Sequence, residues 1–173
     1  MKRFLLSAIA VMAFGFVNAQ NGHFKIGAHT GLPIGDASDL FTINLGVDAA
    51  YLWNLGDKFS AGATTGYTIY SGKRETYNYG GMSYENKIKD ASFIPVAGTA
   101  QYSINNNLFV GLDLGYAFFL GQNSVGATDT GGGVLFQPKF GYQNNKIELF
   151  ATYKSISDDR SLSSLNIGFN YKF

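Results

Sequence analysis

The 173-residue chain carries 13 Lys and Arg against 12 Asp and Glu, a formal charge of +1, and no Cys. Disulfides, thiolate chemistry and Cys-based metal sites are thereby excluded, and no basic surface for nucleic acid is implied. Aromatic residues make up 16%, charged residues 14%, and Gly reaches 22 residues; this composition is poor in helix formers and rich in strand and turn formers, so an all-β protein is predicted.

The chain opens with Lys2 and Arg3, continues as a mostly apolar run from Phe4 to Val17, and offers small residues at Val17-Asn18-Ala19 before Gln20. This is the pattern of a secretory signal peptide over 1–19; the run is shorter than the roughly 20 residues a spanning helix needs. Without Lys2 and Arg3 the charge balance turns slightly acidic, and the remaining chain suffices for one domain, 20–173. Beyond the signal no apolar run exceeds five residues, so no transmembrane helix is predicted.

From there the hydrophobic period is two. A first strand runs about His23 to Thr30, with Phe24, Ile26 and Ala28 on one face and Lys25, Gly27 and His29 on the other; Gly31 to Phe41 reads as a loop. Strand two, Thr42 to Asn54, alternates Ile43, Leu45, Val47, Tyr51 and Trp53 with Asn44, Gly46 and Asp48, and Leu55-Gly56-Asp57 turns it into strand three, Phe59 to Ser71. Gly72 to Asp90 holds seven charges and three tyrosines without clean alternation and reads as a long loop with room for strand extensions. Strands four (Ala91 to Ile104), five (Leu108 to Gly121), six (Gly133 to Gln143) and seven (Lys146 to Ser157) follow, joined by tight Asn turns at 105–107 and 144–145 and a Gly-rich loop at 122–132. After Asp158, Asp159 and Arg160 the last strand, Leu162 to Phe173, sets Leu165, Ile167, Phe169, Tyr171 and Phe173 against Ser164, Asn166, Gly168, Asn170 and Lys172.

Eight antiparallel strands of about 10 residues, with short turns at one end and longer loops at the other, predict an eight-stranded up-and-down transmembrane β-barrel. Charged, Gly and small polar residues share one face, which suits a narrow interior; the other face is apolar. Its aromatics gather near the strand ends, with Trp53, Phe59, Tyr102, Tyr142 and Phe173 at the turn end and Tyr67, Tyr116, Phe118 and Tyr153 at the loop end. A soluble barrel would invert these faces. Pro95 and Pro138 fall inside strands of a sheet without edges, so each is expected to mark a bulge or weak pairing.

The terminal SLNIGFNYKF (164–173), with SFIPVAGTAQY (92–102) and LFVGLDLGYAFFLG (108–121), resembles the outer membrane protein β-barrel domain family of small Gram-negative barrels. The similarity extends to the OmpA transmembrane domain, OmpX and Bacteroidota members of the family. The resemblance implies outer-membrane lipid around the barrel, export by the signal peptide, periplasmic chaperones and the barrel assembly machinery as partners, and a monomer. It also implies that Phe169, Tyr171 and Phe173 form the assembly signal, and it carries over no peptidoglycan-binding domain.

The inward face places Lys25, Lys139, Lys154 and Lys172 against Asp48, Asp113 and Glu148. An eight-stranded bore is just wide enough for side chains to fill, so a closed ion-pair network is expected, with a narrow porin-like channel as the alternative. A second alternative is a lipid A-modifying acyl enzyme with His29, placed at the rim, as base and Ser38 or Ser124 as nucleophile; no His-x-Ser pairing occurs around His29, and a rim histidine is expected to be solvated. His23 and His29 lie roughly 20 Å apart at about 3.3 Å per residue, so they cannot share a metal within that strand. No cofactor and no enzymatic activity are expected, and the surface loops, chiefly 72–90, are expected to carry structural, adhesive or interaction roles.

Overall fold

The computed structural model describes residues 22–79, 82–122, 128–129, 131–158 and 161–173; the predicted signal segment and Ser124 lie outside them. In chain order the elements are β1 (Gly22–Ile34), α1 (Ala37–Leu40), β2 (Phe41–Asn54), β3 (Phe59–Gly72), β4 (Arg74–Tyr79), β5 (Met82–Lys87) and β6 (Ala91–Ser103). They continue with β7 (Leu108–Phe119), β8 (Gly121–Gln122), β9 (Thr128–Asp129), β10 (Gly132–Gln143), β11 (Ile147–Ser157) and β12 (Ser161–Lys172). Eight of the strands close into one barrel in the order β1-β12-β11-β10-β7-β6-β3-β2. Closure is made by the first and last strands, whose antiparallel register runs from Lys25 opposite Lys172 to Ile34 opposite Ser163. All eight predicted strands are present, and the predicted turns and loops alternate between the two ends.

The loop end is more ordered than the sequence suggests. β1 continues through Gly31 to Ile34, because Gly31 finds partners in both Asn166 and Asn44. A turn with Gly35 at φ 62° then leads into the single helical turn of α1, a conformation that favours glycine. The segment expected to be a long loop contains a separate hairpin, β4 paired with β5. Lys73 N–H donates to Leu40 O, and Ile88 N–H donates back to Lys73 O, so the base of the hairpin is joined to α1 and to itself.

The faces divide as the alternation predicts. Large apolar side chains stand exposed on the outside, Ile167 at 66% and Val47 at 57%, while Lys25, Asp113, Glu148 and Lys154 are each no more than 3% exposed inside. Exposed apolar surface of this extent marks contact with something other than water, and a barrel with polar contents and an apolar wall is a membrane barrel. At the turn end Phe24 packs on Phe173 and Tyr51 on Trp53, with centroids 5.9 and 5.1 Å apart; at the loop end Tyr116 packs on Phe118 at 5.0 Å. Among the described residues no helix is long and apolar enough to cross a membrane.

The two prolines interrupt the ladder without shifting it. Between β3 and β6 the pairing skips from Thr65–Val96 to Thr68–Phe93, and between β10 and β11 from Phe136–Ser155 to Lys139–Thr152, in each case with the register unchanged. A threonine from the neighbouring strand fills each gap: Thr65 Oγ1 donates to Pro95 O at 2.9 Å and Thr152 Oγ1 to Pro138 O at 2.6 Å. Weak pairing rather than a bulge is the outcome. The register does shift between Phe41 and Ile43 on β2. The extra residue turns Phe41, which strict alternation would send outward, onto Tyr70 inside the bore, 5.7 Å between centroids.

Candidate functional site

Among the described residues the lumen gathers chemistry-bearing groups from distant strands, and it is filled in layers. At the turn end Glu148 of β11 takes Lys25 Nζ at 2.6 Å and Lys172 Nζ at 3.7 Å, both on Oε1. Gln101 Nε2 donates to the same oxygen at 3.1 Å, and Asn170 Nδ2 donates to Oε2 at 3.0 Å. Gln101 also accepts from Lys25 at 2.7 Å and donates to Gln143, which donates to Ser103. Three hydrogen-bond donors, with a second ammonium at 3.7 Å, are what make this buried carboxylate tolerable.

Above this layer Lys139 Nζ lies 2.6 Å from Asp113 Oδ2 and 5.3 Å from the centre of the Phe150 ring. Phe109 and Phe150, both buried, occupy the bore beside them. The next layer centres on His29. Its Nδ1 is 2.6 Å from Asp48 Oδ2, and its Nε2 is 2.9 Å from Lys154 Nζ and 3.4 Å from Thr68 Oγ1. Lys154 Nζ also donates to Thr68 Oγ1 at 3.2 Å. Asp48 offers only acceptors and Lys154 only donors, so the imidazole is neutral, protonated on Nδ1 and accepting on Nε2. The ring fits there because its cross-strand neighbour on β2 is Gly46, where a Cβ would run into the His29 ring; at Gly168, its neighbour on β12, a Cβ would meet the Phe150 ring instead.

The loop end is closed by apolar side chains. Phe41, Tyr70, Phe93, Leu135 and Ile156 form one buried cluster, with Phe119 and Leu162 packed against it. Tyr70, fully buried, meets Phe93 edge-on at 5.9 Å and is hydrogen-bonded through its hydroxyl to Ser164 at 3.2 Å.

Each predicted lumen residue points inward: Glu148 pairs with Lys25 and Lys172, Asp113 with Lys139, and Asp48 reaches Lys154 through His29. His29 is the main correction. It sits at mid-bore, 4% exposed, and not solvated at the rim, because β1 continues well beyond it. Both of its ring nitrogens are engaged. Ser38, in α1, donates its hydroxyl to Gly35 O at 2.7 Å and makes no hydrogen bond to His29; Ser124, the other nucleophile considered, lies outside the described residues. No group of three His, Asp or Glu able to hold a metal occurs among the described residues. Sequence reasoning missed Tyr70, near the loop end of β3, and Phe41, whose inward turn depends on a bulge.

No protein-family model matches the sequence, and no curated protein does either. Solved structures do match. The chain is similar to Ail, the attachment invasion locus protein of Yersinia pestis, at 14% identity and TM-score 0.51, covering 88% of this chain and 97% of that one. It is similar to the N-terminal β-barrel domain of Pseudomonas aeruginosa OprF at 12% identity and TM-score 0.51, covering 88% and 98%. A de novo designed transmembrane β-barrel gives 14% identity and TM-score 0.54 over 90% and 99%.

The chain has the fold of the small outer-membrane β-barrels. The match to a designed barrel shows how little of this fold depends on activity, since closure, pleat and polarity suffice to specify it. What distinguishes this outer-membrane-type barrel is therefore the content of its bore and the surfaces at its loop end.

Proposed function

We propose that this protein is an integral outer-membrane barrel of a Gram-negative cell, exported by the 1–19 signal, non-enzymatic, and acting through the surfaces it presents outside the bilayer. The observation that carries this reading is the filled bore. Two ion-paired layers and the Asp48–His29–Lys154 bridge lie beneath an apolar cap of Tyr70, Phe93, Leu135 and Ile156, which suits the bore of eight strands, wide enough only for side chains. A narrow porin-like channel would need a continuous wet path, and the cap stands across it. The segment from Gly72 to Asp90, rich in Tyr and charge, and its β4–β5 hairpin are the parts best placed for structural, adhesive or interaction roles.

Planar-bilayer recording on the purified, refolded protein tests the reading. Wild type is expected to give no steady single-channel current, whereas Tyr70→Ala combined with Phe93→Ala, which removes the cap, is expected to raise conductance. Steady wild-type currents would replace the closed barrel with the channel.

A further inference from the structure

The bore is plugged from the loop end down to Glu148, but its mouth at the turn end is hollow. Between the Lys25–Glu148–Gln101 layer and the turns lies an open cavity of about 740 Å³. His23, Asn54, Ser60, Ser103, Gln143 and Lys172, each at the end of a different strand, line it. Its floor does not balance its charge. Lys25 and Lys172 both address Oε1 of Glu148, at 2.6 and 3.7 Å, and among the described residues no other carboxylate lies within ion-pair distance of either ammonium. Two cations on one anion leave one positive charge in excess, and Lys172, the looser partner, is the one that lines the cavity.

Spare donors surround that charge. Asn54 Oδ1 accepts from Ser60 Oγ at 2.9 Å, and Asn144 Oδ1, also at the cavity, accepts the backbone N–H groups of Lys146 and Ile147 at 2.8 Å. Both amides thus spend their oxygens and keep their –NH2 groups as donors. His23 lies within electrostatic reach of Lys25, Lys172 and Glu148 and adds an imidazole to the same mouth. At the rim Asp57 and Lys58 offset each other.

We infer that this mouth binds one carboxylate of a small acidic sugar–peptide, the class of molecule that the cell-wall glycan presents in the periplasm. One excess positive charge matches a monoanion; a phosphate monoester, close to dianionic at pH 7, would leave the layer negative. Amides and hydroxyls rather than apolar side chains line the rest of the cavity, and these both donate and accept, as a ligand body built of amides and hydroxyls requires. The volume is that of a small-molecule site. The short turns of such barrels face the periplasm, so the cavity opens on the compartment that holds this ligand.

This inference rests on the membrane placement proposed above. The test is isothermal titration calorimetry of the refolded protein in detergent with N-acetylmuramyl-alanyl-isoglutamine, which has one free carboxylate, and with its carboxyl-amidated form and acetate for comparison. Wild type is expected to bind the acid, and amidation is expected to weaken binding by about tenfold, the loss of one charge-assisted contact. Lys172→Gln is expected to lose a similar factor and Lys172→Arg to retain binding. Ser60→Glu, which sets a carboxylate in the mouth from another strand, is expected to abolish binding. Folding is checked by heat-dependent gel mobility, and Ser60→Glu carries the test if Lys172→Gln does not fold. No binding by wild type overturns the inference, as does equal binding of acid and amide, or binding unchanged in Lys172→Gln or in Ser60→Glu. Acetate binding as tightly as the sugar–peptide overturns it in favour of a bare anion site. Insertion of wild type into vesicles is measured alongside: failure to insert would defeat the membrane placement, whereas insertion without binding defeats this inference alone.

Discussion

Lys154 Nζ lies 2.9 Å from His29 Nε2, with Asp48 2.6 Å from the other ring nitrogen, so an imidazole from β1 separates a cation on β11 from an anion on β2. The ammonium and the carboxylate compensate each other through a neutral ring, and neither is solvated enough to stand alone. Lys154→Met should therefore cost about 3 to 5 kcal/mol, the usual penalty for leaving a buried charge without its partner. Adding Asp48→Asn should recover part of that loss, giving a coupling above about 1 kcal/mol between residues that do not touch directly. Urea titrations of the two single variants and the double variant in lipid vesicles measure this. Additive losses would show that the imidazole does not connect the two charges.

Asp113 and Lys139 form a layer of their own, so the consequence of losing one can be separated from the His29 layer. Asp113→Ala leaves the Lys139 ammonium buried against Phe150, and it should cost about 3 to 5 kcal/mol. Among the described residues no hydrogen bond or ion pair joins this layer to Lys154, but the charges of Asp113 and Lys139 reach it through space, so the losses from Asp113→Ala and Lys154→Met should depart from additivity by less than about 1 kcal/mol. Strong non-additivity would restore the single network that the sequence suggests.

Leu112 is Asp113's neighbour in the chain and pairs with Ala100 and Pro138 on the wall facing away from the bore. Leu112→Arg should destabilise the folded barrel by about 2 to 4 kcal/mol if that position is near the bilayer midplane, and Leu112→Ala should cost less. Titration in vesicles showing Arg tolerated there would overturn the assignment of faces.

Phe173 donates its backbone N–H to Phe24 O at 2.9 Å and packs on Phe24 and Tyr171, contacts at the very edge of the sheet. If it acts chiefly as the assembly signal with Phe169 and Tyr171, deleting it should leave unfolded chain in the periplasm of living cells while still permitting refolding in detergent. Fractionation of cells expressing the truncated chain reads the outcome, and normal outer-membrane levels would falsify the assembly role.

The sequence by itself determined the strands, their number, their two faces and the end at which the turns lie. Each of these depends on a local period of two and on turn residues, which act within a few positions along the chain. It also placed Lys25, Asp48, Asp113, Lys139, Glu148, Lys154 and Lys172 inside. Only the tertiary structure decided which of them meet. Lys25 finds Glu148 and His29 finds Lys154 across sequence separations of 123 and 125 residues, and those meetings are fixed by the register with which β12 closes on β1, a property of the whole sheet. The same holds for Phe41, turned inward by a bulge that only its pairing with β3 reveals.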